Sequence, residues 1–410
     1  MTDELKSSYD VVVLGGGAAG LSGAVTLARS RRSVVVIDAG EPRNAPAEGV
    51  HGLLGREGMP PGELLERGRA EARGYGAEIV TGEVSTARRA GDEFAVTLTD
   101  GCSTRARRLL VASGLTDVLP DIPGLRERWG RDVLHCPYCH GWEIRDQAIG
   151  VLASSPMSVH QAMLFRQLSD DVTFFTHTAA EPTGEVAEEL AARGIRVVTG
   201  AVAGLEIEAD RLVGVRLADG TVIAREALAV GSRMVARAGF LADLGLKPVE
   251  HPMGMGEHIA ADPMGRTDVP GVWAAGNVVD LSAQVGAAGA AGTMAGAQIN
   301  ADLVAEETRR AVAALREQVS PEAELAEQSV EERALGQATT RPNTTTERTS
   351  VTEEFGKEFW EARYHDAHSA DREPNPHLVG EAGDLPPGRA LDAGCGTGGE
   401  RSGWPPAAGR

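Results

Sequence analysis

The stretch HCPYCHGWE, residues 135–143, places two cysteines two residues apart, with a proline between them and a histidine directly behind. Such a pair supports either half of a zinc site or a dithiol–disulfide couple. Zinc needs four ligands, and the remaining cysteines, Cys102 and Cys395, are isolated and distant in sequence. No metal is therefore expected. A redox couple at Cys136 and Cys139 fits better, because CPYC can open a helix: Pro137 is preset for the first turn, and the helix dipole stabilises a thiolate. His140 follows the pair directly, and an imidazole with an ordinary pKa of about 6.5 can accept a thiol proton near neutral pH. Helix capping is its alternative role. His135, on the other side of the pair, reads as buried polar structure.

These residues must be positioned by a larger frame. YDVVVLGGGAAGLSGAVTLARS opens with an apolar run, Val11 to Leu14, typical of a parallel strand buried on both faces. A glycine turn follows, and Leu21, Ala24, Val25 and Ala28 then recur at helical spacing before a second strand, SVVVID, ends in Asp38. In this βαβ unit Gly15 allows the tight turn, Gly17 admits a pyrophosphate, and Gly20 lets the helix pack on the strand. The helix amino terminus receives the phosphates, and Asp38 is expected to hold a ribose hydroxyl pair.

Composition narrows the partners. The 410 residues suffice for two or three domains, and the formal charge of −19 disfavours nucleic acid and anionic membrane. No apolar run of about 18 residues is present, and the start MTDELKSSYD is too polar for a secretory signal. A cytoplasmic location and small-molecule or protein partners are expected. In a reducing compartment a close CxxC is catalytic or metal-binding rather than structural.

Three further stretches specify the dinucleotide. RRLLVASGLTDVLPDIPG, residues 107–124, resembles the strand and A-T-G turn that leaves the flavin domain of two-dinucleotide flavoproteins, with Ser113 replacing threonine. GRTDVPGVWAAGNVVD, residues 265–280, resembles their second flavin motif, with the usual G-D changed to Gly276-Asn277. Asn277 keeps an accepting oxygen and gains donors. The small residues of LSAQVGAAGAAGTMAGAQINADL suit a helix whose amino terminus lies against an isoalloxazine.

With the CxxC included, residues from about 8 to 310, some three quarters of the chain, resemble the low-molecular-weight thioredoxin reductase family. The resemblance implies an α/β fold of two Rossmann-like domains. Residues 1–117 and 247–310 would form a split FAD-binding domain, with a nicotinamide-type domain, 118–246, inserted and carrying CPYC. It implies FAD held by Gly15, Gly17, Ala18, Ala19, Gly20, Asp38, Ala39, Gly40, Arg43, Asn44, His51, Ala112, Ser113, Gly114, Gly276, Asn277, Gln284 and Val285. His51 lies in HGLLGREGMPPGELL, where these flavoproteins pass a loop near the isoalloxazine. NADP or NAD becomes a second cofactor to test, and a homodimer is implied. Cys139 would face the flavin as a charge-transfer thiolate, and Cys136 would form the mixed disulfide with substrate.

The departures from that family are as informative. Thioredoxin reductases carry an aspartate where this chain has His140; CxxCHG resembles instead the flavin-dependent dithiol oxidases of the gliotoxin and holomycin type. In the insert the family's G-G-G-D-S-A turn is replaced by Ala153, Ser154, Ser155, Pro156, Met157 and Ser158, and its H-R-R by His177, Thr178 and Ala179. The glycines that admit a pyrophosphate and the arginines that grip a 2′-phosphate are gone. Three functions remain: an oxidase of a small dithiol passing electrons to oxygen, an NAD(P)H-driven reductase of a thioredoxin-like protein, or a redox sensor without steady turnover.

Residues 311–351 change from Ala/Glu-rich, with helical character, to Thr-rich and read as a linker. Residues 352–410 resemble the start of a class I S-adenosylmethionine-dependent methyltransferase, with Asp392, Gly394, Gly396 and Gly398 as its glycine loop and Cys395 a loop residue. One βα unit cannot bury its own apolar face, so a disordered tail without methyl transfer is expected.

Overall fold

The computed structural model describes residues 4–336. The Thr-rich part of the expected linker and the methyltransferase-like segment, Cys395 included, lie outside the described residues. The long last helix, Val285–Gly336, covers the first part of that linker. No helix among the described residues is long and apolar enough to cross a membrane.

The first domain is built on a seven-stranded sheet. Its parallel centre joins Ser8–Leu14 to Val34–Asp38 on one side and to Ser103–Val111 on the other, with Val272–Ala274 beside the latter. Because side chains alternate along a strand, Val11 and Val13 enter one core with Leu21, Ala24 and Leu27 of the first helix, Ala18–Arg29, while Val12 and Leu14 enter the opposite core. Both faces are covered, which is why the strand reads as an unbroken apolar run.

The last helix crosses the first at small residues. A Cβ on Gly292 would lie 1.9 Å from the Ala19 carbonyl oxygen, and one on Gly296 would lie 2.9 Å from the Gly23 oxygen. Arginines on the central strand fix the same helix further along: Arg107 pairs with Glu306 and Glu307, and Arg108 with Asp302 and Glu306. These pairs are partly exposed and count for less than the apolar burial of Ala295, Ile299 and Leu303 beneath them.

The inserted domain has a five-stranded parallel sheet, ordered Arg196–Val198, Val172–Phe175, Ile149–Leu152, Ala227–Val230 and Val133–Leu134. A three-stranded antiparallel sheet, Val202–Glu208, Arg211–Leu217 and Val222–Ala224, packs beside it. Two crossing strands join the domains, Leu115–Val118 outward and Arg233–Ala236 back, paired antiparallel. The return to the first domain comes earlier than the expected residue 247. Ala236, Ala238, Leu241 and Leu246 are buried with Leu109 and Val272 in the first domain's core. Their apolar pattern suits either domain, and only the packing assigns them.

Gly292→Val tests the helix crossing. The added side chain meets backbone, which cannot swing aside, so a loss of about 2–3 kcal/mol is expected. Urea unfolding of the two proteins measures it, and an unchanged midpoint would mean that the helices do not approach this closely.

Candidate active site

The glycine turn after the first strand works by close approach. Gly15 has a φ of +113°, and a Cβ there would lie 2.4 Å from the Ala112 oxygen; one on Gly20 would lie 1.9 Å from the Gly15 oxygen. Gly17 instead faces open space and caps the first helix without a side chain. The first amide bonded within the helix is that of Leu21, to the Gly17 oxygen, which leaves the N–H groups of Ala18, Ala19 and Gly20 for an anion. Those of Ala18 and Ala19 open on a cavity of about 1430 Å³, larger than the roughly 300–1,000 Å³ of ordinary small-molecule pockets. An extended dinucleotide fits this arrangement.

Every residue expected at the cofactor lines this cavity except Gly20 and Gly40. Gly20 serves helix–strand packing, and Gly40, at φ +80°, serves the turn after the second strand. Two more expectations need correction in part. Asp38 is not free for a ribose alone: it accepts from the Gly16 N–H at 3.2 Å and from Arg69 Nη2 at 2.9 Å, keeping lone pairs for a hydroxyl. Arg43 lines the cavity, but its guanidinium is committed to Asp117 in a bidentate pair of 2.7 and 2.8 Å. Ser232 also donates to Asp117, at 2.5 Å. Burial alone would raise the Asp117 pKa, yet Arg43 and Ser232 hold its carboxyl below the usual range.

On the far side, Gly276 at φ +78° lets the returning chain pass the first helix; a Cβ there would lie 2.8 Å from that of Ala19. The Asn277 amide donates to the Asp280 and Ala283 oxygens at 3.0 and 2.9 Å, which an aspartate could not do. Its oxygen is left to accept. Ser113 donates to the Arg237 oxygen at 2.6 Å, which fixes the turn beside Gly114.

CPYC opens the short helix Pro137–His140, with Cys136 at the cap and Pro137 in the first turn. Both cysteines are half-buried thiols. The Cys136 pKa falls to about 7: the Cys139 thiol donates to it, burial opposes, and the amides of Tyr138 and Cys139 and the Arg43 charge add to the lowering. Donating that hydrogen bond, together with burial, raises Cys139. The reduced pair thus shares one thiolate, on Cys136 first.

His140 lines the same cavity, and its Nε2 is buried without a hydrogen-bond partner. Burial lowers its pKa, with Glu143 opposing and His51 reinforcing, so the imidazole is neutral near pH 7. His51 Nδ1 lies 2.6 Å from Glu57 Oε1, and its Nε2 lies 3.5 Å from Glu143 Oε1. His135 is tied into the fold, with Nδ1 3.1 Å from the Val230 oxygen and its own carbonyl accepting from Gln161 at 2.6 Å. Among the described residues no group of three or more His, Cys, Asp or Glu side chains is placed to hold a metal ion. Sequence reading missed Arg69, Asp117 and Ser232, whose partners lie on other elements, and Glu57, which sits in the same loop as His51. Glu143 carried a signal, being three residues beyond His140 in the same stretch.

Residues 9–297 match the model of the pyridine nucleotide-disulphide oxidoreductases. The chain belongs to that family. It is 32% identical over 313 residues to thioredoxin reductase tcpT of Claviceps purpurea (strain 20.1), covering 72% of this chain and 95% of the relative. Over 311 residues it is 30% identical to thioredoxin reductase sirT of Leptosphaeria maculans, covering 72% and 94%. The crystal structure of HlmI matches with a TM-score of 0.72 and 48% identity, over 78% of this chain and 100% of that one. This pyridine nucleotide-disulphide oxidoreductase is an FAD-dependent enzyme of thiol–disulfide exchange, and FAD is the dinucleotide that the first cavity suits.

In the oxidoreductase's inserted domain the turn after Ile149–Leu152 is held by its own serines. Ser154 Oγ donates to the Gly231 oxygen at 2.9 Å; the Ser155 N–H bonds Ser158 Oγ at 3.1 Å, and the Met157 N–H bonds Ser155 Oγ at 3.2 Å. Ser155 also fills the space before Gly231, where a Cβ would meet its Oγ at 2.5 Å. After the next strand, His177 accepts from the Val202 N–H at 3.0 Å, and the neighbouring Thr178 and Ala179 offer no cation.

Alkylation of the reduced oxidoreductase by iodoacetamide should report the shared thiolate. Cys136 is expected to react with a midpoint near pH 7, and exposed Cys102, whose pKa Asp100 raises, only at higher pH. Cys139→Ala removes the donated S–H and should move the Cys136 midpoint upward. Peptide mass spectrometry across pH measures both, and a midpoint that stayed in place would remove Cys139 as the cause.

Proposed function

We propose that this enzyme oxidises a vicinal dithiol of a small substrate to its disulfide, with oxygen as the final acceptor. The observation that carries the reading is the self-closed turn of the inserted domain. Its Ser155 and Met157 amides are satisfied by serine hydroxyls, and no paired arginines follow the next strand. A nicotinamide pyrophosphate would need such amides free. The insert then serves as a scaffold holding CPYC at the flavin cavity.

In this mechanism a substrate thiol gives its proton to His140, whose neutral imidazole faces the cavity. The resulting thiolate attacks Cys136 of the oxidised pair; the Cys136–Cys139 bond breaks, and Cys139 leaves as a thiolate beside the cavity. The second substrate thiolate then attacks the substrate sulfur of the mixed disulfide, which releases the cyclic disulfide and Cys136. Two electrons and two protons have left the substrate. Held by the cavity residues around Gly15, Ala18, Asp38, Gly276 and Asn277, FAD would supply the two-electron acceptor for the reduced pair, with dioxygen, reduced to hydrogen peroxide, as the final acceptor. The amides at the start of the CPYC helix and the Arg43 charge stabilise the cysteine thiolate in each direction.

A second reading, reduction of a thioredoxin-like protein by NAD(P)H, is favoured by the names of the relatives above and by the parallel sheet that the insert retains. The two differ at the electron source. Losing two charge-assisted contacts of about 1.5–3 kcal/mol each weakens NADPH on the order of a hundredfold or more. Under anaerobic conditions dithiothreitol is expected to bleach the flavin readily, and sub-millimolar NADPH only very slowly. Stopped-flow bleaching by micromolar NADPH or NADH within milliseconds would establish the reductase instead.

The sulfur roles are tested by spectroscopy on partly reduced protein. Cys139→Ser should abolish the long-wavelength thiolate-to-flavin absorbance, and Cys136→Ser should keep or strengthen it. The reverse outcome would exchange the two roles.

A further inference from the structure

A dithiol carries two protons, and one imidazole accepts one at a time. His140 must therefore discharge the first proton before it can take the second. Its surroundings offer a route. His140 Nε2 is buried without a partner, and the imidazole lies within the fields of both Glu143 and His51. His51 bridges two carboxylates, Glu57 Oε1 at 2.6 Å from Nδ1 and Glu143 Oε1 at 3.5 Å from Nε2. The bridge links two separate segments, the 50–59 loop of the first domain and the end of the CPYC stretch. Of the three side chains Glu57 is the most exposed, at 66%, against 39% for Glu143 and 24% for His51, so the far end of the bridge meets water. The Gly52 N–H holds the second Glu57 oxygen at 3.0 Å, so this carboxylate is fixed at the surface end.

From this placement we infer that Glu143, His51 and Glu57 form a proton outlet for His140, carrying thiol protons from the buried dithiol site to water. The inference rests on the reading of His140 as the thiol base. Its balance is simple. Each thiol proton passes to His140, from there to Glu143, then through the two ring nitrogens of His51 to Glu57 and solvent, while the electron pair goes to the Cys136–Cys139 disulfide. A carboxylate at each ring nitrogen suits the shuttle, because one can hand a proton to the ring while the other takes one from it. His51's hydrogen bond and the Gly52 amide keep Glu57 ionised and ready to accept. Glu143 and His51 act here as positioning and relay groups rather than touching substrate. The other titratable side chains lining the cavity around CPYC are Cys136 and Cys139, which belong to the same exchange, and His135, Tyr138 and His160.

The test uses FAD-loaded protein, anaerobic stopped flow and dithiothreitol as the probe. Glu143→Gln and Glu57→Gln are each expected to slow flavin reduction about tenfold at pH 7, a fraction of the 10²–10⁴-fold typical of a proton-transfer group. Added imidazole or acetate buffer, acting as a diffusible carrier, should restore most of the rate. In Glu143→Gln the acid limb of the pH profile should also move to lower pH, because the carboxylate that favours the charged His140 is gone. A merely structural role predicts neither rescue nor a shifted limb. Unchanged rates in both variants, or slowing that no buffer relieves, would overturn the outlet. His140→Asn separates the two claims: if it leaves the rate and pH profile unaltered, the His140 base reading fails, and if it slows reduction where the glutamate variants do not, the outlet alone fails. Aerobic oxygen uptake with dithiothreitol tests the oxidase reading independently of either.

Discussion

A backbone amide at the start of a helix has no partner within that helix, and this constraint organises the whole enzyme. At Gly17 the free amides of Ala18 and Ala19 open on the large cavity, where no side chain competes for them. At the CPYC helix, amides of Tyr138 and Cys139 turn toward the Cys136 sulfur and lower its pKa to about 7. Ahead of the helix Ser158–Phe165 two amides of the preceding turn, Ser155 and Met157, are instead bonded to the Ser158 and Ser155 hydroxyls. The first two ends offer donors to an anion, whereas this turn spends two of its donors on its own side chains.

Holding the second end over the cavity of the first is the task of the crossing strands. Leu115–Val118 and Arg233–Ala236 pair with each other, and Asp117 on the outgoing strand takes both Arg43 from the first domain and Ser232 beside the returning one. The Asp117 side chain is only 7% exposed, so its charge is stable there because Arg43 meets it with two parallel hydrogen bonds. The charge of the same arginine helps lower the Cys136 pKa and opposes the rise at Cys139. Domain geometry and thiolate chemistry are therefore coupled through one guanidinium.

The histidine behind the cysteines lines the same cavity, and burial keeps its imidazole neutral, which makes it a base without the cost of a buried charge. Glu143 and His51 act on it through charge, and its Nε2 has no hydrogen-bond partner. The insert retains its parallel sheet, while two amides of the turn before Ser158 are bonded to serine hydroxyls.

What the sequence alone determined was everything carried by spacing along the chain. The strand, the glycines at 15, 17 and 20, the helix and Asp38 announced a dinucleotide turn, because each acts within a few residues of the others. CPYCH announced thiol chemistry for the same reason, and the loss of glycine at 153–158 was visible as composition. Tertiary structure decided what depends on partners far apart in sequence. Arg69 shares Asp38, Asp117 captures Arg43, Glu143 approaches His51, and Ala236 to Leu246 join the first core rather than the second. Gly20 and Gly40 carried the right residue type yet face packing and a turn instead of the cavity. A glycine records that the backbone needs room or a positive φ, but only the folded chain shows what occupies that room.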